Sequence, residues 1–337
     1  MLKYRNGICY TMKWTVVILG MLLVLSLLGV STVTEKVISA KEGITPPGQQ
    51  SFGPGGSNYL YDEVVETSYG NGIEKYWIFE PKDHTEQELP VIVFLHGYQG
   101  MHPRNQIRWI EHLVKRGNIV IFPKYQMSTT LGKNFVPNAI AAIKDAFERL
   151  QDKLDFENFA VVGYSLGGVI ATNLAALASS EGLPQPKAVM CIQSGGSECA
   201  NMEILSAIPG STLLLSVVGD RDEHVGDMDS KAIFYGADNI PLENKDFVIV
   251  RSDEYGTPDL IADHSAPGSP ENQGSLGKSE TDALDYYGYW KLFDGLYSAA
   301  FYGEYKEYAL GNTPEQRFMG KWSDGTPVKE LLITDNP

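Results

Sequence analysis

The chain has 337 residues, 43% of them hydrophobic and 20% charged, with a formal net charge of −15. These proportions describe a globular protein with a sizeable core and exclude a disordered one. With 42 acidic against 27 basic residues and no dense Lys/Arg patch, the sequence argues against a nucleic-acid partner and against adsorption to anionic lipid by charge alone.

The N-terminus stands apart. Lys3, Arg5 and Lys13 precede an apolar run from Trp14 to Val30, WTVVILGMLLVLSLLGV. A basic flank, an apolar stretch and a polar stretch after it read as an export signal or an uncleaved membrane anchor over residues 1–40. The run is long for the apolar part of a signal and short for a membrane span. MKWTVV at Met12 is a tidier start, and Ser31 and Ala40 are the two cleavage points considered, although Ile38 lacks the small side chain such a site prefers. No Cys follows the run, so an acylated anchor is unsupported. The expected location is extracytoplasmic, secreted or tethered. Without residues 1–40 the chain keeps 23 basic and 41 acidic residues, a net −18, and two cysteines, Cys191 and Cys199. In an exported protein these either pair or remain separate thiols.

Residues 41–58, KEGITPPGQQSFGPGGSN, are rich in Gly, Pro and Gln and read as a linker. LYDEVVETSY and IEKYWIFEP follow as two antiparallel strands joined at Asn71-Gly72. PVIVFLHG is an unbroken apolar run, as expected of a strand buried on both faces. A helix is expected from about Gln106 to Arg116, then a strand at NIVIFP, then an amphipathic helix over 137–151 carrying Ala139, Ile140, Ile143, Phe147 and Leu150. Three further strand–helix units pair FAVVG with 166–180, AVMCI with 201–207, and TLLLSVVG with 228–236. DFVIV is a last strand and 281–302 a final helix rich in aromatic residues. Alternating strands and helices call for a mostly parallel twisted sheet of about eight strands, helices on both faces, in one domain over 59–337.

Within FAVVGYSLGGVIA the string Gly163-Tyr164-Ser165-Leu166-Gly167 has the G-x-S-x-G form of a nucleophile elbow. It has the required setting, a buried strand before the serine and a helical run after it. The turn is tight, so the positions two before and two after the serine must lack bulk. A serine needs a base to take its proton, and in elbow-type sites the chain order is Ser, acid, His. Of six histidines only His224 and His264 follow Ser165. His264 lies in an irregular loop after DFVIV, at the carboxyl edge of the sheet, and is the expected base. The orienting acid falls in the charged burst GDRDEHVG ending TLLLSVVG. Asp222 is the choice, with Asp220 in reserve, because Val225 anchors the loop while Asp222 points inward. The burst also resembles a calcium loop, but its sixth position is Val225 rather than Gly and no Glu closes it. Two backbone N–H donors are needed for an oxyanion. Leu166 supplies one and Tyr98, after His96-Gly97, the other, with Gln99 as the alternative. His96 is read as holding that loop.

FLHGYQG, GYSLGG, GDRDEHV and ADHSAP, in that order over most of residues 60–300, resemble the α/β-hydrolase superfamily. Within it the chain looks like the bacterial esterases grouped around dienelactone hydrolases, cutinase-like polyester hydrolases and chlorophyllases; a serine nucleophile resembles the esterase side of that group. The resemblance implies Ser165, Asp222 and His264 as a triad, Tyr98 and Leu166 as oxyanion donors, and no metal or cofactor. The segment between AVMCI and TLLLSVVG is too short for a cap domain, so the site is expected to be open and shallow, covered by loops 98–105 and 124–135. Tyr98, Met101, Tyr125, Met127 and Tyr164 are candidate apolar contacts. The expected activity is hydrolysis of a small-molecule, lipid or polymer ester through an acyl-enzyme. The alternatives are acyl transfer or peptide cleavage by the same triad, or a non-catalytic binding module on the same fold. The aromatic-rich tail from Asp282 to Leu332 has no functional account at this stage, and the oligomeric state is open.

Overall fold

The computed structural model describes residues 41, 43–84, 88–271 and 279–337. The signal or anchor expected over 1–40 lies outside the described residues. Among the described residues no helix is long and apolar enough to cross a membrane.

The strands are β1 (Val64–Tyr69), β2 (Tyr76–Pro81), β3 (Leu89–Leu95), β4 (Ile119–Pro123), β5 (Leu154–Tyr164), β6 (Ala188–Ile192), β7 (Leu213–Gly219), β8 (Lys245–Val250) and β9 (Leu332–Thr334). They form one sheet in the order β1-β2-β4-β3-β5-β6-β7-β8-β9. From β4 to β8 the neighbours are parallel; β1 and β2 at one edge and β9 at the other are antiparallel. The helices are α1 (Ile107–Lys115), α2 (Phe135–Arg149), α3 (Leu166–Leu177), the short α4 (Ser197–Ala200), α5 (Met228–Gly236), α6 (Trp290–Tyr302) and the short α7 (Pro314–Arg317).

The central strands are apolar throughout because both faces are covered. Successive side chains point to opposite faces. Val91, Val93 and Leu95 of β3 pack with Ile143 of α2, Val169 of α3 and Ile233 of α5. The intervening Ile92 and Phe94 pack with Trp109 and Leu113 of α1 and with Phe293 and Leu296 of α6. This double cover is what lets seven consecutive residues of β3 be buried without exposing a strand face.

Among the described residues the sheet holds nine strands, in keeping with about eight, the ninth coming from the tail. Several other expectations are corrected. The helix expected over 201–207 is replaced by α4 at Ser197–Ala200 and a 3-10 turn at Leu205–Ala207. The final helix opens with a π-helical turn, Asp285–Tyr289, before α6. The described residues of 41–58 contain no helix or strand, yet they are docked rather than free. Gly55 N–H donates to Asp294 Oδ2 of α6 at 2.7 Å, and that buried carboxylate also meets His112 Nε2 at 2.9 Å and Arg116 Nε at 3.1 Å. Ile44 packs on the α1/α6 core. Cys191 is a free, fully buried thiol in β6, so it does not pair with Cys199; burial pushes its ionisation up.

Two carboxylates begin the final helical segment. Asp282 Oδ1 accepts the Leu284 N–H at 2.7 Å, and Asp285 Oδ2 accepts the Asp282 N–H at 3.0 Å. Burial, aided by Glu280, raises Asp282 to about 6. Its unfolded value is about 3.9, so between about pH 4 and 6 the folded state holds a proton that the unfolded chain has lost, and stability from this group falls as pH rises through that window. Asp282→Asn keeps the acceptor and removes the charge. It is expected to gain about 1–3 kcal/mol at pH 7 and little at pH 4. Urea unfolding at the two pH values checks this; an equal gain at both would exclude the buried charge as the cause.

Candidate active site

Strand β5 runs into α3 with Ser165 alone between them. Ser165 has φ 55° and ψ −121°, a conformation that costs an L residue about 1–3 kcal/mol and persists only when its surroundings impose it. They do so through glycine. A Cβ on Gly163 would run into the Gly167 carbonyl, one on Gly167 into the Leu95 carbonyl of β3, and one on Gly168 into Ser194 Oγ. A Cβ on Gly97 would come within 3.1 Å of Ser165 Cβ, so the loop after β3 passes directly over the serine. The Ser165 N–H donates to Ile192 O of β6 at 2.8 Å, which fixes the turn against the next strand.

Three strand ends meet here. Asp222 follows β7, and its Oδ1 accepts the N–H groups of His224 at 3.0 Å and Val225 at 3.1 Å. The tight turn leaves Oδ2 for His264, whose Nδ1–H donates to it at 2.7 Å. With Nδ1 carrying the proton, Nε2 is the acceptor, and Ser165 Oγ–H donates to it at 3.1 Å. The structure therefore brings Ser165, His264 and Asp222 into one hydrogen-bonded line. Asp220, the reserve, faces elsewhere: its Oδ1 accepts Ser252 N–H at 2.9 Å and Ser252 Oγ–H at 2.6 Å. Val225 packs where a Cβ on Gly195 would be, anchoring the Asp222 loop to the end of β6.

Leu166 is the first residue of α3, a position whose N–H has no partner within the helix. On the loop after β3, Gln99 N–H, the alternative donor, is taken by Gln126 Oε1 at 2.8 Å. His96 holds this loop. It is fully buried, its Nδ1–H donates to Gly97 O at 2.6 Å, and its ring lies 4.0 Å from that of Tyr125. Burial lowers its pKa to about 4, against the pull of the Gly97 carbonyl, so it is neutral.

The side chains in this line lie largely below the surface. Ser165 is 7% exposed and His264 5%. Tyr125 and Tyr164, two of the five candidate substrate contacts, are scaffold. Tyr125 is fully buried with its OH on the His96 carbonyl, and Tyr164 OH donates to the His264 carbonyl at 2.6 Å. Tyr98 and Met101 are partly exposed and Met127 is exposed. Residues 193–212 hold only α4 and the 3-10 turn.

Three contacts were missed from sequence. Tyr164 is one; Gln193, whose Nε2–H donates to Asp263 O at 2.6 Å, is the second. The third is His224, whose exposed ring sits 4.8 Å from that of His264 at a 40° tilt. Burial first, then the His264 charge, lower the pKa of His224 against the pull of Asp222. Its place directly after Asp222-Glu223 was the available signal.

Residues 90–205 match the family model described as the alpha/beta hydrolase fold. The chain has the α/β-hydrolase fold. Its elbow, acid and histidine stand after β5, β7 and β8, at the carboxyl edge where open α/β sheets place their sites. Among solved structures the hydrolase fold seen here is similar to one reported in a structural analysis of two fungal esterases from Rhizomucor miehei, with 17% identity, 58% of this chain and 76% of that chain covered, and a TM-score of 0.45. No curated protein matches this α/β-hydrolase-fold chain.

Proposed function

We propose that the protein is a serine hydrolase that cleaves carboxylic esters. The observation that carries this reading is the Asp222–His264–Ser165 line ending on a serine in a strained strand-to-helix turn. His264 Nε2 takes the Ser165 proton as Oγ attacks the ester carbonyl, and Asp222 stabilises the imidazolium that forms. The N–H groups of Leu166 and Tyr98 hold the oxyanion. The imidazolium then protonates the departing alkoxide, leaving an acyl-serine. Water, deprotonated by the same Nε2, releases the acid and restores the serine. The Trp14–Val30 run supports a reading in which the protein is exported, secreted or tethered, and acts outside the cytoplasm.

A fluorophosphonate probe tests the reading directly. It is expected to label Ser165, found by peptide mass spectrometry, and to block hydrolysis of p-nitrophenyl esters in parallel. Full labelling at another residue, or none, would overturn it. A screen over acyl-chain length and polymeric esters then sorts the substrate class, since the fold itself does not choose one.

A further inference from the structure

The tail beyond α6 converges on the hairpin that carries His264. Between β8 and His264 the chain folds back on itself, closed by a pair of backbone bonds. Asp253 N–H donates to Leu260 O at 2.8 Å, and Leu260 N–H to Asp253 O at 3.0 Å. The Asp253 carboxylate is 5% exposed and points to the tail, not to the active site. Its Oδ2 accepts Trp322 Nε1–H at 3.0 Å and Lys329 N–H at 3.0 Å, while Lys329 Nζ donates to Ser252 O at 2.8 Å. Trp322 is itself 1% exposed, and its ring fills the space beside Gly256 that a Cβ would need. Tyr255 at the hairpin tip donates its OH to Asp324 Oδ2 at 2.9 Å.

The docked N-terminal segment closes the clasp from the other side. Lys41 N–H donates to Tyr255 O at 3.1 Å and Thr257 N–H to Ile44 O at 2.7 Å. Thr45 and Ser323 then tie this segment to the tail, Ser323 N–H to Thr45 O and Thr45 N–H to Ser323 Oγ, each at 3.0 Å. On its inner side the hairpin is connected to the acid loop. Ser252 Oγ donates to Asp220 and accepts the Ala262 N–H at 2.9 Å, and Arg221 N–H donates to Ala262 O at 3.1 Å. Ala262 lies two residues before His264, and Asp220 and Arg221 immediately precede Asp222. Hydrogen bonds thus link Trp322 and Lys329 to Asp253 and Ser252, and Ser252 to Ala262 and Asp220, residues that lie within two positions of His264 and Asp222 along the chain.

We infer that the C-terminal tail is a positioning brace for the base: Trp322 and Lys329, by holding Asp253, set where His264 stands relative to Asp222 and Ser165. The inference rests on the esterase reading for its kinetic consequence but not for its geometric one. Trp322 and Asp253 touch no reacting atom, so they are positioning residues. Misplacing a catalytic group by an ångström is enough to cost about a hundredfold, and a hairpin without its outer bonds has that freedom.

The test uses the full chain with ¹⁵N-labelled histidine and three variants. Trp322→Phe keeps an aromatic ring and removes the donor; Asp253→Leu removes the acceptor; Asp253→Asn keeps an acceptor oxygen. The first readout is the low-field proton resonance of the His264 Nδ1–H held by Asp222, which needs no turnover. It is expected to move upfield and exchange faster in Trp322→Phe and Asp253→Leu, and to change less in Asp253→Asn. The second is kcat/KM per probe-titrated site, expected to fall roughly tenfold or more in the first two, with kcat carrying the loss rather than KM. Unchanged resonance and unchanged per-site kinetics would overturn the brace, even if the melting temperature fell, because that pattern marks a purely structural tail. Should Trp322→Phe not fold, the Asp253 pair decides alone. A wild type that shows the resonance but neither takes up the probe nor hydrolyses esters would sink the esterase reading and leave the brace to be judged by the resonance.

Discussion

Glycine at position 165 is expected to stop ester hydrolysis yet leave a more stable protein than alanine at the same position. Both variants lose the Oγ that donates to His264 at 3.1 Å, and both should lose roughly 10⁴–10⁶ in kcat, the range over which a nucleophile is missed in triad hydrolases. They differ only in backbone. Alanine must still occupy φ 55°, ψ −121°, which glycine adopts without strain. The relief, about 1–3 kcal/mol, exceeds the roughly 0.5–1 kcal/mol that glycine adds in unfolded-chain entropy. The midpoints of Ser165→Gly and Ser165→Ala in calorimetry make the comparison. Equal midpoints would mean the turn is not strained, and persistent hydrolysis by either variant would remove Ser165 from the mechanism.

The second large effect concerns the acid. In Asp222→Asn the side-chain oxygen stays with the N–H groups of His224 and Val225, so the amide NH₂ faces His264. A donor there obliges Nδ1 to accept, which moves the ring proton to Nε2 and leaves nothing to take the Ser165 proton. The expected loss is on the order of 10³–10⁴ in kcat with little change in fold. Asp220→Asn, two residues away, should stay within about tenfold, because the amide oxygen still accepts from Ser252 and nothing at 220 faces the imidazole. Steady-state rates for the two variants settle the assignment; a larger loss at 220 than at 222 would reverse it.

Much of this site could be read from residue types and order. Unbroken apolar runs announced the strands of the sheet's centre because parallel strands are covered on both faces. Gly163 and Gly167 marked the elbow because backbone passes backbone there at distances no Cβ tolerates. Chain order after Ser165 left two histidines, and the loop setting separated them. What escaped had weaker local signals. β9 has three residues, and Leu332 is half exposed; its strand character comes from pairing with β8, not from its own pattern. Residues 41–58 looked like a linker because they dock through backbone groups such as the Gly55 N–H, which leave no side-chain periodicity. The expected helix at 201–207 gave way because Ser197 N–H and Oγ are both held by Asp229 of α5, at 2.9 and 2.6 Å, which starts the turn four residues earlier. Tyr164 and Gln193 act through hydroxyl and amide groups aimed at the carbonyls of the His264 loop, and nothing in a residue's identity states which carbonyl it will find.

The meeting of residues 41–45 and of the tail on one hairpin bears on the order of assembly. Residues 322–329 are synthesised after every strand of the parallel sheet and after the serine, acid and histidine themselves. Contacts between positions 253 and 322, or 44 and 257, close long loops and form late. A growing chain can therefore complete its sheet and its elbow while the segment bearing His264 still lacks its outer support. On the brace proposed above, His264 gains its final position only once residues 322–329 have docked on the hairpin.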